Sequence, residues 1–528
     1  KHGDKVGLYL PKGVEQAACE VALAYLNIVF LPIDVEFPVK IVEHCVSAIG
    51  LRMILTDTKE HMEDIAAVTT TIVTLENEIP SAEIGKEALE ENSETMLINT
   101  SGTTGMPKTV ILTWRGIMNC INATQKLFSI TSKDVAFGVT NYGHDMSIFD
   151  ILGMVYIGGT TVIPNQHNYK NPEIWIDLMN KYKVTVWISV PALLEMLLYS
   201  DLEKLPEVVG KLHRVIQGGD YLHIDIVKKF RKWNQKGKIF NVGGPTETTM
   251  WNIYHEVSGV DIQNNNIPYG KPFPNTQYYI LDKKQELCPV GKEGQMYIAG
   301  DGVTPGYVGT GEQGKFTEYK GLRVYCSGDY GVYMRTGEIL FRGRKDRQIK
   351  INGKRIELDG IEEKLNSIKG ITKGAVICKD KRIVAYYVAE DKTEVNNIKK
   401  ILSGILPEYM IPTAFYEIKR LPYNRNKKVD YRELERMVPK TGEQEKAETE
   451  LEDFVARICE NIFEVEKIGV KESFYNLGGD SVTAMRIAAI IKKEFNVHMT
   501  PYDIFEHSTI RELASYIAKL RSDINEKV

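Results

Sequence analysis

The chain has 528 residues, of which 43% are hydrophobic and 26% charged, with a formal net charge of -4. That length is too great for one hydrophobic core and implies at least three domains, and the near-balanced charge excludes a strong electrostatic case for nucleic acid or an anionic membrane. Seven scattered cysteines without a Cys-x-x-Cys pair read as reduced thiols of a cytoplasmic protein, not as a disulfide framework or zinc site, and no apolar run is long enough to span a bilayer.

Lys1 runs straight into the strand-like Val6–Leu10 without a signal peptide, an abrupt start that leads us to expect part of a longer protein. Glu15 to Leu26 has helical periodicity, and Ile72–Leu75, Thr161–Ile163 and Val184–Ile188 read as buried strands. This alternation continues to about Phe341 and predicts a large α/β domain on parallel sheets. After the charged stretch Arg342–Arg347 comes a smaller α+β unit, with strands near Gln348–Ile351 and Ala375–Cys378 and a helix near Ile361–Ser367. A polar, charge-rich linker covers roughly Pro439 to Thr449. Beyond it only helical patterns occur, Leu451–Phe463, Ser481–Glu494 and Ile510–Leu520, so an all-α bundle is expected. The expected division is 1–345, 346–436, a linker at 437–449, and 450–528.

The densest chemical signal is Thr100-Ser101-Gly102-Thr103-Thr104-Gly105-Met106-Pro107-Lys108. Its glycines allow backbone to approach an anion, its hydroxyls add donors, and Lys108 adds a cation. By itself the segment is either a phosphate cradle or a Ser/Thr/Gly-rich surface turn. It is not a P-loop, because Gly-x-x-x-x-Gly-Lys-[Ser/Thr] is not matched.

Further segments follow in order: Gly244-Pro245-Thr246-Glu247-Thr248-Thr249, Gly302-Val303-Thr304-Pro305-Gly306-Tyr307, Tyr325-Cys326-Ser327-Gly328-Asp329-Tyr330 and Gly343-Arg344-Lys345-Asp346-Arg347-Gln348. Leu31-Pro32-Ile33-Asp34 lies before them and Leu406-Pro407-Glu408-Tyr409-Met410 after them. Together with the phosphate loop they closely resemble the adenylate-forming superfamily. More narrowly, they resemble the adenylation domain of a nonribosomal peptide synthetase, over nearly the whole chain.

The resemblance implies an enzyme that uses ATP and Mg²⁺. Thr100, Ser101, Gly102, Thr103, Thr104 and Lys108 would meet the phosphates, with Gly243 and Gly244 beside the nucleotide. Glu247 would bind Mg²⁺ and Thr246 would sit beside the forming adenylate. Asp329 would accept the ribose hydroxyls, a task that suits a carboxylate able to take two donors, and Arg344 would also touch the sugar. Asp346 falls at the family's hinge, and Gly353 and Lys354 in the loop that lines the thiol's path. Lys428, in Asn426-Lys427-Lys428-Val429-Asp430, falls at the catalytic lysine. A cation is needed there because negative charge builds on the α-phosphorus beside a second anion. Two departures stand out. Thr109 follows Lys108 where the family usually has glycine. Gly243 stands where the family usually has an aromatic stacked on adenine, so base stacking must come from elsewhere or be weaker.

Leu477-Gly478-Gly479-Asp480-Ser481-Val482 precedes the helical pattern Thr483 to Glu494. A serine at a helix N-terminus can carry an anionic phosphodiester against free N–H groups and the helix dipole. The segment resembles the phosphopantetheine site of a peptidyl carrier protein, which implies 4'-phosphopantetheine on Ser481 and a phosphopantetheinyl transferase as partner. Ser481 could otherwise be a plain N-cap. A Gly-Asp-Ser hydrolase would need a preceding strand and a later Asp-x-x-His, and the tail shows neither.

The family's substrate pocket maps to Asp145, Met146, Phe149, Ile188, Ile216, Gly218, Val242, Met250 and Trp251, closed by Lys428. A carboxylate at Asp145 implies an α-ammonium partner, because a buried unpaired Asp is costly. The remaining lining is apolar and bulky, so glycine or alanine is expected first, then cysteine or a branched aliphatic. His144 either gates the thiol tunnel or packs as an aromatic substitute. The expected activity is adenylation of that amino acid and its loading onto the chain's own carrier, beside neighbouring synthetase domains such as condensation domains. The alternatives are a free-standing acyl- or aryl-CoA ligase and a degenerate, non-catalytic adenylation fold.

Overall fold

The computed structural model describes residues 3–68, 70–75, 90–100, 106–200, 202–309, 315–351, 353–379, 382–389, 395–423, 429–437, 445, 447–463, 467–471, 474, 481–495, 497, 499 and 501–525. The chain forms two compact units. The first comprises Lys1–Leu194, Glu203–Glu357 and Gly404–Tyr409, and the second the remainder.

The first unit holds two seven-stranded sheets. In one, Lys5–Tyr9 pairs in parallel with Val29–Ile33 and Met53–Thr56, and Thr71–Thr74 follows on Met53–Thr56. Every residue of Val29–Ile33 is buried. Strands covered on both faces are continuous apolar runs, which is why they stand out in the sequence. Glu94–Thr100 joins this sheet and pairs antiparallel with Lys108–Thr113. In the other sheet Thr160–Val162, Val135–Gly138, Val186–Ser189, Arg214–Gln217 and Lys238–Gly243 are parallel neighbours. Helices such as Val14–Tyr25, Trp114–Phe128 and Ile224–Trp233 cover the sheets.

The α/β alternation ends earlier than the sequence pattern suggests. Thr276–Leu281, Glu293–Gly300, Leu322–Tyr333, Phe316–Tyr319 and Ile339–Arg344 form an antiparallel sheet, with no helix among the described residues from 276 to 344. The strand Glu293–Gly300 buries both of its faces, Met296 and Ile298 in one cluster and Tyr297 and Ala299 in another, whereas Phe316–Tyr319 and Ile339–Arg344 are exposed over part of their length. The hairpin Gln348–Ile351/Lys354–Glu357 packs with the first unit.

In the second unit, Ile371–Lys379 and Arg382–Ala389 pair antiparallel, and Ala414–Glu417 runs parallel to the latter. Helix Leu358–Asn366 packs on Ile371–Lys379. Toward the C-terminus come helices Glu450–Phe463, Ser481–Phe495, Pro501–Glu506 and Ile510–Asn525. Val455, Cys459, Ile487, Ile491, Ile504, Leu513 and Ile517 form their common core. Arg511 ties the bundle's start to its last helix through Glu445, Glu448 and Glu452, at 2.9, 3.1 and 2.9 Å. The six-residue helix Pro501–Glu506 is too short to show a period and has no counterpart in the sequence reading.

Candidate active site

The phosphate-loop segment begins and ends on paired strands. Thr100 lies opposite Lys108, and the Thr100 hydroxyl donates to the Lys108 carbonyl at 3.2 Å. Thr109 donates its hydroxyl to Asn99 Oδ1 at 2.8 Å, so this departure from the family pattern ties the base of the hairpin. Lys108 Nζ lies 6.0 Å from the Tyr307 ring centre. Ser101, Gly102, Thr103 and Thr104 lie outside the described residues, as does Lys428.

Gly243 ends the strand Lys238–Gly243, and Gly244 has φ +155°. A short 3₁₀ turn, Thr246–Thr248, follows. Glu247 is fully buried, at 0% exposure. Tyr307 donates its hydroxyl to Glu247 Oε1 at 2.7 Å, and Arg355 Nη1 donates to both carboxylate oxygens at 2.7 and 3.0 Å. Burial alone would raise this carboxyl. The Arg355 guanidinium and the Tyr307 hydroxyl outweigh it and hold the group at about 2. Glu247 therefore already has its cation. As arranged, the carboxylate does not fit Mg²⁺, and an ion could bind there only after Arg355 withdrew.

Asp329 and Arg344 face each other across paired strands. Arg344 Nη1 donates to Asp329 Oδ1 at 2.8 Å and to the Ser327 carbonyl at 2.9 Å. Its Nε and Nη2 grip Asp346 at 2.8 and 2.6 Å. Burial opposes the Asp346 charge, but Arg344 outweighs it and lowers the carboxyl below its usual range. Asp346 lies inside the first unit, eleven positions before Glu357, where that unit's second segment ends.

Met146, Phe149, Ile188, Ile216, Val242, Met250 and Trp251 belong to one buried cluster. A Cβ on Gly218 would fall 2.8 Å from Val242 Cγ2 and 3.6 Å from Met146 Cε, so the glycine is part of the same wall. Phe149 and Trp251 lie 5.8 Å apart, and Trp251 Nε1 donates to Thr124 Oγ1 at 2.8 Å. Thr249 and Met250 both adopt left-handed φ, 63° and 55°. This turn leaves Met250 and Trp251 both buried at a conformational cost typical of functional sites. Asp145, 5% exposed, directly precedes Met146 of this cluster.

His144 Nδ1 lies 3.1 Å from Asp145 Oδ1. The same Nδ1 accepts the Met146 N–H at 3.2 Å, while Nε2 faces the Gly353 carbonyl at 3.2 Å. A carbonyl can only accept, so Nε2 carries a proton, while Nδ1 lies between the Met146 N–H and the Asp145 carboxylate. Thr100, His144, Asp145 and Thr246 line one cleft together with Gly353, Lys354 and Arg355 of the hairpin.

The family profile described as "AMP-binding enzyme" matches residues 1–308. The chain belongs to this family. A second profile, "phosphopantetheine attachment site", matches residues 450–517 of the same AMP-binding enzyme. Bacitracin synthase 1 of Bacillus licheniformis is 30% identical over 98% of this chain, which spans 10% of that protein. The anguibactin system regulator of Vibrio anguillarum is 27% identical over 99% of the chain, which spans 51% of it. Thus the chain spans about half or less of these relatives. Among solved structures, holo-PA1221, a synthetase protein containing adenylation and carrier domains, superposes with a TM-score of 0.82. It is 22% identical, and the match covers 98% of this chain and 88% of that one. A four-domain synthetase bound to AMP and glycine, AB3403, is 26% identical, with a TM-score of 0.59 over 98% of this chain and 39% of that one.

Two groups of site residues therefore stand together in this AMP-binding enzyme: the cleft around Asp145 and the Asp329–Arg344–Asp346 set. Ser481 is the first residue of helix Ser481–Phe495. Sequence reasoning assigned no role to Tyr307 or Tyr269, and read Arg355 only as the end of the loop from Ile351 that, with Gly353 and Lys354, would line the thiol's path. Arg355 and Tyr307 stand inside segments already singled out, but only the fold brings them to Glu247. No helix among the described residues is long and apolar enough to cross a membrane.

Proposed function

We propose that this AMP-binding enzyme activates a small apolar α-amino acid as its adenylate and passes it to its own carrier domain. One observation carries the reading: a buried carboxylate, Asp145, which directly precedes Met146 of the apolar cluster and lines the cleft of Thr100 and Thr246. An isolated buried carboxylate is costly, and an α-ammonium offsets that cost. A charged or amide side chain would find no partner along the rest of the wall. The glycine held by AB3403 supports the small end of the range, glycine or alanine before cysteine or a branched aliphatic.

In the first half-reaction the amino-acid carboxylate attacks the α-phosphorus and pyrophosphate leaves. We assign Lys428 to the charge that builds there, Thr246 to the adenylate, and Asp329 and Arg344 to the sugar. Glu247 remains the proposed Mg²⁺ ligand for the state in which Arg355 is withdrawn. We assign the chain to 1–345, 346–436, a linker at 437–449 and a carrier at 450–528, with Asp346 as pivot. A 4'-phosphopantetheine on Ser481 supplies a thiol on a long flexible chain, and the N-terminus of a fifteen-residue helix suits its phosphodiester. Its transferase and neighbouring synthetase domains are the proposed partners.

An amino-acid panel of ATP–pyrophosphate exchange tests the pocket. Glycine, alanine, cysteine and valine should lead, with Asp, Glu, Lys and Arg near background. Asp145→Ala should lower exchange about a hundredfold or more for every amino acid, since the ammonium loses its partner. Preference for a charged amino acid, or for an acid without the amine, contradicts this reading.

The hairpin supplies a test of the second half-reaction. Gly353 has φ +79°, and a Cβ there would fall 2.2 Å from Val190 Cγ1. Gly353→Ala adds left-handed strain of about 1–2 kcal/mol to that collision, so the hairpin should leave its seat beside His144. We expect carrier loading to slow about tenfold or more while exchange is retained. Normal loading, or equal loss of both steps, removes the hairpin from transfer.

A further inference from the structure

Gly243 is bare for a visible reason. A Cβ built on it would fall 2.0 Å from Tyr269 Cε2 and 2.5 Å from Tyr269 Cζ and Oη. The Tyr269 ring therefore fills the volume that any side chain at 243 would enter. This ring is only partly buried, so it is not a sealed core residue.

Its backbone is held firmly. Tyr269 N–H donates to the Ile339 carbonyl at 2.9 Å. Gly270, with φ +116°, tolerates no Cβ, since one would fall 1.9 Å from the Tyr254 carbonyl oxygen. The strand that receives this bond, Ile339–Arg344, carries Phe341 in its middle and Arg344 at its end. Phe341 is 38% exposed, and its ring lies 5.6 Å from that of Tyr269 at an interplanar angle of 60°. Arg344 is bound to Asp329. Burial, and then the charge of Asp329, push the Tyr269 phenol up, which places the ring within the electrostatic reach of that carboxylate.

The arrangement is an aromatic pair beside a carboxylate–guanidinium pair, on shared strands. A carboxylate can accept both hydroxyls of a ribose. A partly exposed ring gives a purine a flat apolar face, a contact worth about 1–3 kcal/mol per base. We propose that Tyr269 is the base-stacking residue of this enzyme, supplying from position 269 the ring that position 243 lacks. Gly243 and Tyr269 are then one unit: the glycine is bare so that the tyrosine can lie over it. The inference rests on the reading of ATP as substrate and adds the residue that holds its base.

The test is a swap, read on ATP. Tyr269→Leu should raise the ATP KM in amino-acid-dependent exchange by about 5- to 150-fold, the range expected for one lost stacking contact. The amino-acid KM should move far less and the melting temperature by a few degrees at most. Gly243→Tyr alone should collide with Tyr269 and weaken ATP. The double variant Gly243→Tyr/Tyr269→Leu frees the space and should recover most of the lost ATP affinity. An unchanged ATP KM in Tyr269→Leu overturns the proposal. So does a lowered one, which would make Tyr269 a plug, or a double variant no better than the worse single. Equal changes in both KM values with a large fall in melting temperature would show a structural role instead. Calorimetric binding of ATP to each variant, without amino acid, reads Tyr269 directly. If exchange is absent in the unmodified protein but ATP still binds through Tyr269, the activation reading fails and this one stands.

Discussion

Lys428→Ala is expected to lower amino-acid-dependent pyrophosphate exchange by about 10²–10³-fold, the size of effect seen when one preorganised transition-state donor is removed. The carboxylate of the amino acid and the α-phosphate of ATP are both anions, and their approach concentrates charge on a pentavalent phosphorus. A lysine reaching both relieves that repulsion only as the bond forms, so the loss should appear in kcat more than in KM. Lys428 itself lies outside the described residues, but its flanks are firmly placed. Tyr423 and Val429 form an isolated antiparallel bridge, the Asp430 N–H donates to the Pro422 carbonyl at 2.9 Å, and Asp430 caps helix Tyr431–Arg436 by accepting the Glu433 N–H at 3.2 Å. Truncating the lysine therefore leaves these anchors intact, and the melting temperature should be unchanged. Transfer from a chemically supplied aminoacyl adenylate should survive, because the α-phosphate bond is already made. Near-normal exchange in the variant would remove Lys428 from the chemistry.

How much of this site is legible in sequence depends on how far apart its parts lie. Thr100–Lys108 and Gly244–Thr249 are contiguous, so the first stands out by composition as a phosphate cradle or a surface turn and both are legible through the family resemblance. The strands Lys5–Tyr9 and Val186–Ser189 are equally legible, because burial on both faces writes them as largely apolar runs. The antiparallel sheet from Thr276 to Arg344 is not: strands such as Ile339–Arg344, buried at one end and exposed beyond, carry a mixed pattern. The pairings that decide the chemistry are the least visible. Arg355 and Glu247 are 108 residues apart in sequence, and neither neighbourhood signals the other. Gly243 reads in the sequence as a missing aromatic, and only the packing shows that the ring of Tyr269, twenty-six positions later, lies over it. The setting of His144 likewise depends on the Gly353 carbonyl that faces its Nε2, a partner that exists only once the hairpin is seated.

Ser481→Ala is expected to abolish covalent loading while leaving pyrophosphate exchange untouched. In the proposed reading the two half-reactions use different groups: exchange needs the Asp145 cleft and the charge assigned to Lys428, whereas loading needs an acceptor. A serine hydroxyl is short and weakly nucleophilic near neutral pH. A thiol on a flexible arm is the better nucleophile and can travel between sites. The helix Ser481–Phe495 begins at this residue and packs Ile487 and Ile491 into the bundle core beside Val455, Leu513 and Ile517, so its position is set by apolar burial rather than by the serine. If Ser481 were only an N-cap, its loss would cost about 1 kcal/mol and change no covalent chemistry. The measurement is intact-protein mass spectrometry. After treatment with a phosphopantetheinyl transferase and coenzyme A, the unmodified protein should gain one pantetheine phosphate. With ATP and the preferred amino acid it should then gain one aminoacyl group. The Ser481→Ala protein should gain neither, while its exchange rate and melting curve stay close to those of the parent. A parent that takes up no pantetheine phosphate, but makes soluble thioester when given free coenzyme A, would instead be an acyl-CoA ligase with a bundle that carries nothing. An alanine variant that still held a covalent aminoacyl group would place the acceptor on another residue.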